Sequence, residues 1–182
     1  MKALLVAGAL LGALIANTGN ASETAANRAM IRGCIVAAAK IHRLPPAVLV
    51  TLLDVEDGRL GQVSENANGT IDIGPMQVNS VNLPAIAGHW QTTIGDTYEA
   101  LRDNFCANVE AGAWILRRCL DAADGRFWEG VGDYHSHTPE YRTRYLGQVL
   151  QDVLRLRALV AAGAVSPRPP MQHGPASPPA GG

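Results

Sequence analysis

Apolar positions fall into three regimes along the chain. Ala3 to Ala16 is an uninterrupted apolar run behind one positive charge, Lys2. From about Asn27 to Ala162, apolar residues recur at helical spacing, broken by one stretch rich in Gly and Asn. From about Ala164 the periodicity disappears and Pro and Gly take over.

The middle regime predicts a mainly helical domain with one small β element. Asn27 to His42 places Met30, Cys34, Ala37, Ala38 and Ile41 near one helical face. Leu44-Pro45-Pro46 breaks that helix and opens another, since Pro is tolerated in a first turn. The second helix runs from Ala47 to about Glu56 and stops at Asp57-Gly58. Residues 58 to 75 hold several Gly and Asn, with Asn68-Gly69 as the strongest turn signal, and predict a hairpin. Leu101 to Ala123 contains a helix with Val109, Ala113, Leu116 and Leu120 on one side. Thr138-Pro139 opens a last helix that reaches about Ala162, with Thr138 as N-cap and Pro139 at N1. There is no internal repeat and no Gly-rich phosphate loop.

The outer regimes read as attachments to this domain. Lys2, the 14-residue apolar run from 3 to 16 and the small residues Gly19-Asn20-Ala21 form the pattern of a secretory signal peptide over residues 1–21. Fourteen residues are too few to span a bilayer comfortably, so no stable membrane insertion is expected after cleavage. Residues 164–182 read as a flexible tail, leaving 22–163 as the folded domain.

Composition narrows the function classes. Apolar residues make up 47% and charged residues 17%, a globular balance. The net charge of -1 becomes -2 once Lys2 is removed, which argues against nucleic acid as a partner. An exported protein can form disulfides. Three cysteines, Cys34, Cys106 and Cys119, cannot all pair within one chain, and their spacing fits no zinc pattern.

The second helix carries the residue richest in chemistry. Leu49, Leu52, Leu53 and Glu56 follow i, i+3, i+4, i+7, so Glu56 extends the apolar stripe. Burial, the negative end of the helix and the adjacent Asp57 each disfavour the carboxylate anion there. A carboxyl protonated near neutral pH is what a general acid requires. The competing reading is a Glu at a frayed helix end in water. Asp72 is a second acid 16 residues downstream, across the predicted hairpin. Met76-Gln77-Val78-Asn79-Ser80 follows, mixing amide donors with apolar residues. Two carboxylates flanking a cleft suit glycosidic bond cleavage.

At these residues the chain resembles the lysozyme-like superfamily. Glu56 and the run Asn68-Gly69-Thr70-Ile71-Asp72-Ile73-Gly74-Pro75-Met76-Gln77-Val78-Asn79-Ser80 look like the catalytic Glu and following hairpin of c-type lysozymes. They are more similar still to the small lytic transglycosylases encoded with conjugation, type IV secretion and related envelope machines. Asn104-Phe105-Cys106-Ala107-Asn108-Val109 with Gly112-Ala113-Trp114-Ile115-Leu116 resembles that family's helix signature. Gly132-Asp133-Tyr134-His135-Ser136 takes the place of its Tyr-centred cleft motif. The likeness covers roughly residues 30 to 150, with four motifs in order.

The resemblance implies a lysozyme-like α+β fold and an exported peptidoglycan lytic transglycosylase, periplasmic or secreted, that needs no cofactor and no metal. Glu56 would protonate the bond between N-acetylmuramic acid and N-acetylglucosamine, then take the proton of the muramoyl C6 hydroxyl as it closes on C1 to give a 1,6-anhydro sugar. Gln77, Asn79 and Asn68 would contact glycan or position the acid, Met76 would pack beneath the site, and Tyr134 and His135 would line the cleft. Asn68 stands where many relatives have a Ser bonded to the catalytic Glu. Asp57 replaces a Ser, and Pro75 replaces a Leu or similar residue. Cys34 and Cys106 match the family's two cysteines, which implies that they pair and leaves Cys119 as a free thiol for core packing.

Asp72 bears on the type of reaction. As a nucleophile or electrostatic stabiliser it would make the protein a hydrolysing muramidase with Glu56. In a transglycosylase it would contribute only its charge, and otherwise it would cap the hairpin. A third reading is a glycan-binding assembly factor without turnover, although such a factor has no need for a buried acid. The expected partners are peptidoglycan strands and a component of a conjugation or secretion machine. Trp114 reads as core, while Trp90 and Trp128 are possible sugar platforms. Arg142, Arg144, Arg155 and Arg157 read as a solvated face of the last helix or as attraction for an anionic wall.

Overall fold

A computed structural model describes the backbone of residues 7–163 and the side chains from residue 23. Seven α-helices and a small sheet follow one another in the described residues: α1 Ala7–Ile41, α2 Pro46–Glu56, β1 Val63–Glu65, β2 Ile71–Ile73, β3 Val78–Asn79, α3 Leu83–Trp90, α4 Ile94–Asp103, α5 Phe105–Ala122, α6 Phe127–His135 and α7 Pro139–Ala161. The mainly helical fold with a small antiparallel sheet matches the sequence expectation. The segments read as an export signal and as a tail fall largely or wholly outside the described side chains.

The organising element is α5. Asn108, Val109, Ala111, Gly112, Ala113, Ile115, Leu116 and Leu120 are buried, so apolar contact surrounds most of its circumference. A helix buried on several sides needs neighbours on several sides, and α1, α4 and α6 pack against it. Asn104 caps it, accepting a 3.1 Å bond from the Ala107 amide. Gly112 is required where α5 meets the loop before β3. A Cβ there would lie 2.7 Å from Cε of Met76, which is fully buried.

Three expectations need correction. The first helix begins well before Asn27, and its buried face is Cys34, Ile35, Ala38 and Ala39. Met30 and Ile41 are 47% and 64% exposed. The segment is apolar on nearly every side, so spacing alone does not select the face that meets α5. The hairpin is a three-stranded antiparallel sheet of order β1-β2-β3. The third strand, two residues long, is too short to show alternation. Thr138 precedes α7 as expected but makes no side-chain cap bond.

The chain reversals position the site. Asp57 ends α2 in the left-handed region at φ 48°, its amide bonded to the Leu53 carbonyl at 3.3 Å. Short polar side chains tolerate that conformation better than most. Asn66, Asn68 and Gly69 close the turn between β1 and β2, with the Asn66 amide bonded to the Thr70 carbonyl. Cys34 and Cys106 form a disulfide with a Cα–Cα distance of 5.0 Å, tying α1 to the start of α5. Among the described residues no single helix is long and apolar enough to cross a membrane.

Candidate active site

The C-terminal end of α2, the sheet and the α6–α7 junction enclose a cleft of about 980 Å³. Glu56, Asn68, Asp72, Gln77, Asn79, Tyr134 and His135, all expected from the sequence, line it, and Met76 lies beneath as a fully buried residue. The three tryptophans do not. Trp90 donates to Glu110 at 2.6 Å, Trp114 stacks on His89 at 4.7 Å, and Trp128 lies on another face. The aromatic surface offered to the cleft is tyrosine: Tyr134 and Tyr141.

Glu56 sits where the α2 stripe carries it. Leu49 and Leu52 are buried, and Glu56 one turn further is part-buried. Its carboxyl pKa is raised from 4.5 to about 7. Burial is the main cause, since an anion there loses its hydration. A hydrogen bond from Tyr145 opposes the shift, and the negative charge of Asp72 adds to it. The like charge acting on Glu56 therefore comes from Asp72, rather than from the adjacent, exposed Asp57.

The hydrogen bond to Glu56 corrects another expectation. Asn68 does not hold the acid. Its Oδ1 accepts from the Thr70 amide at 3.1 Å and from the Thr70 hydroxyl at 2.8 Å. The donor is Tyr145 of α7, whose hydroxyl reaches Oε1 of Glu56 at 2.6 Å. No other protein hydrogen bond to Glu56 is found among the described residues, which leaves Oε2 for a substrate oxygen. The Tyr145 ring is 2% exposed and lies beneath His135, with centroids 4.6 Å apart and planes 2° apart. Burial lowers the pKa of His135, and Asp72 works against that. His135 thus presents one face to Tyr145 and lines the cleft as a mainly neutral ring. Tyr145 was missed because Tyr145 and Val149 read as an ordinary i, i+4 apolar stripe. The available signal was the phenol, which needs a partner when buried.

Asp72 is positioned by the strand alternation. Ile73 turns into the core, and Asp72 faces the opposite side of β2. Asn66 donates to Oδ2 at 2.9 Å and Asn79 donates to Oδ1 at 2.8 Å. The expected backbone cap is thus replaced by two side-chain amides, which hold the carboxylate in one orientation. Asn79 uses its second amide hydrogen on Thr70 at 3.0 Å. Gln77, at φ 44°, donates to the Gly74 carbonyl at 2.8 Å. Both amides expected on the glycan therefore first brace the site itself.

Two further groups fix the floor. Buried Asn108 accepts from the Met76 amide at 2.7 Å and donates to the carbonyls of Ile73 and Leu101, both at 2.9 Å. One side chain thereby joins β2, the Met76 turn, α4 and α5. Tyr134 donates to the Met76 carbonyl at 2.8 Å, so its hydroxyl supports the floor rather than the acid. Burial pushes its pKa well above the ordinary value, which keeps it a donor. Cys119 is free and half-buried in the cleft wall, with its thiol pushed up by burial, then by Asp133. Arg155 pairs with Asp54 at 2.8 Å on an exposed face, as the solvated-face reading of α7 expects, whereas Arg142 is part-buried and pairs with the part-buried Asp133 at 3.2 Å. Among the described residues no three His, Cys, Asp or Glu side chains converge as a metal site.

The Transglycosylase SLT domain profile matches residues 33–147. The chain is 26% identical over 133 residues to Invasion protein IagB of Salmonella typhimurium strain SL1344, covering 70% of this chain and 79% of that protein. Invasion protein IagB of Salmonella typhi gives the same identity and coverage. The matched span runs from the disulfide helix to the tyrosine that holds Glu56. The chain belongs to the transglycosylase SLT domain family, the lytic transglycosylases that act on peptidoglycan.

Proposed function

We propose that the protein is an exported transglycosylase that cleaves the β-1,4 bond between N-acetylmuramic acid and N-acetylglucosamine and leaves a 1,6-anhydromuramoyl end. The observation that carries the reading is the cleft carboxyl of Glu56, with its pKa raised to about 7 and one oxygen fixed by Tyr145. Such a group is half-protonated near neutrality, which suits it to act first as acid and then as base. Glu56 gives its proton to the departing glycosidic oxygen. The muramoyl C6 hydroxyl then attacks C1, and its proton returns to Glu56. One C–O bond breaks, one forms, and no water is consumed. Asp72 supplies negative charge toward the cationic sugar that forms between these steps.

Hydrolysis is the second reading, favoured by the same Asp72. A carboxylate held by two amides beside a protonated Glu is also an arrangement that supports a glycosidase stabiliser or nucleophile. Purified sacculi digested with the enzyme and resolved by mass spectrometry separate the two. Anhydromuramoyl ends are expected, and reducing ends would assign hydrolysis. Binding to sacculi without digestion would assign a glycan-binding role.

We place the enzyme with a conjugation or secretion apparatus, where it opens the wall locally. The support is the resemblance of the Asn68 to Ser80 run to transglycosylases encoded with such machines, together with the likeness to a protein named for invasion. The pattern of residues 1–21 supports export to the periplasm or beyond.

A further inference from the structure

A second concavity lies away from the cleft, between α2, α6 and α7, with a volume of about 470 Å³. Val48 and Leu52 of α2, Trp128 and Val131 of α6, and Val153 and Val160 of α7 line it. Among the described residues, Thr51 and Arg157 are its only polar lining residues. Trp128 is 53% exposed at the rim and Phe127 beside it is 37% exposed. The two rings meet edge to face at 5.2 Å. An apolar groove edged by exposed aromatics is a binding surface by its chemistry, and the reaction assigned to the cleft makes no use of it.

The chain itself points to the occupant. Val160 and Ala161 line the groove, and α7 ends at Ala161. Gly163 has φ 72°, and its amide bonds to the Val160 carbonyl at 3.1 Å. A left-handed glycine at a helix end turns the chain off the helix axis. Residue 164 therefore leaves within three positions of the groove lining. The 19 residues from 164 to 182 include six prolines and one charged side chain among Asp, Glu, Lys and Arg, Arg168. Pro167 and Pro170 are three apart, as are Pro175 and Pro178. In an extended proline helix, with three residues per turn, residues three apart share one edge. Aromatic-lined apolar grooves recognise proline pairs of this kind, because little chain entropy remains to be lost. The reach also fits. Seven residues at 3.1 Å each cover about 22 Å, and α7 from Val149 to Val160 rises about 17 Å.

We propose that the α2–α6–α7 groove is a docking site for the proline-rich segment of this same chain, residues 164–182, with Pro167 and Pro170 against Trp128. A segment tethered at the groove mouth has a millimolar effective concentration. Any intrinsic dissociation constant below that concentration keeps it docked more than about half of the time.

Hydroxyl-radical footprinting of the full chain, read at Trp128 by mass spectrometry, tests this. The comparison is the full chain carrying Pro167→Ser, Pro169→Ser and Pro170→Ser together. Oxidation of Trp128 is expected to rise about twofold or more in the variant, with Trp90 and Trp114 unchanged as a check on the fold. Equal oxidation in the two proteins would overturn the proposal. Protection that grows with protein concentration would overturn it in favour of a second copy. Protection that survives the three substitutions would assign the groove to another occupant. Sacculus digestion is expected to be the same in both proteins, so this outcome is independent of the reaction assigned to the cleft.

Discussion

The phenol of Tyr145 and the carboxyl of Glu56 lie 89 residues apart in sequence and 2.6 Å apart in space. The bond joins the end of α2 to the buried stripe of α7, so the orientation of the acid depends on how those two helices pack. It also limits the pKa of Glu56, because it favours the anion that burial disfavours.

Removing that bond separates orientation from acidity. Tyr145→Phe leaves burial and Asp72 unopposed, so the pKa of Glu56 is expected to move above about 7. The high-pH limb of the activity profile should then shift upward. The loss of a fixed Oε1 should lower turnover by about tenfold, equivalent to about 1.4 kcal/mol in the barrier. A pH–rate profile of sacculus digestion checks both. An unchanged profile would show that the Tyr145 hydroxyl does not act on the acid.

The raised pKa has a consequence for stability, with a definite sign. Below about 4.5 the carboxyl is protonated in both the folded and unfolded chain, and the shift has no effect. Between 4.5 and about 7 the unfolded chain ionises first, and folding loses stability. Above that window the loss is complete, on the order of 3 kcal/mol. Glu56→Gln keeps an oxygen that can accept from Tyr145 and removes the ionisation. The variant is expected to be inactive yet to melt several degrees higher than the wild type at pH 8 (roughly 2–4 °C per kcal/mol). The advantage should vanish at pH 4. Thermal melts at the two pH values measure it, and a variant less stable at pH 8 would contradict a buried, reluctantly ionised Glu56.

Asn108 is expected to be the most sensitive polar residue of the floor. Asn108→Ala leaves the Met76 amide and the Ile73 and Leu101 carbonyls without their partner in a buried place. Each unsatisfied buried group costs roughly 1–3 kcal/mol, so a total loss of about 3 kcal/mol or more is expected. Urea unfolding gives the number. A loss below about 1 kcal/mol would show that water replaces the amide there.

The Cys34–Cys106 link encloses 72 positions of sequence separation. Chain-entropy arithmetic gives about 4 kcal/mol for a loop of that size. Reduction should lower the melting temperature, and thiol counting on the folded, oxidised protein should find Cys119 alone. Modification at position 34 or 106 would contradict the pairing.

Much of the site was legible because its signals are local. Glu56 lies on an i, i+3, i+4, i+7 stripe, and Asp72 sits on the polar face of a three-residue strand. The turn at Asn68-Gly69 is written in residues that favour turns. The support was not legible, because it is long-range. Tyr145 looks like one more apolar position of α7. Asn108 looks like a polar interruption in α5, until Ile73, Met76 and Leu101 are seen to converge on it. The face of α1 escaped for a different reason: a helix rich in small apolar residues can pack on almost any side, and α5 makes the choice.

Carboxyl-carbon NMR titration of Glu56 in the folded enzyme tests the central claim most directly. The signal is identified by its loss in Glu56→Gln. The account predicts a midpoint at about 7. A midpoint near 4.5, the ordinary value, would mean that Glu56 is a solvated carboxylate at neutral pH and is not the acid that opens the glycosidic bond.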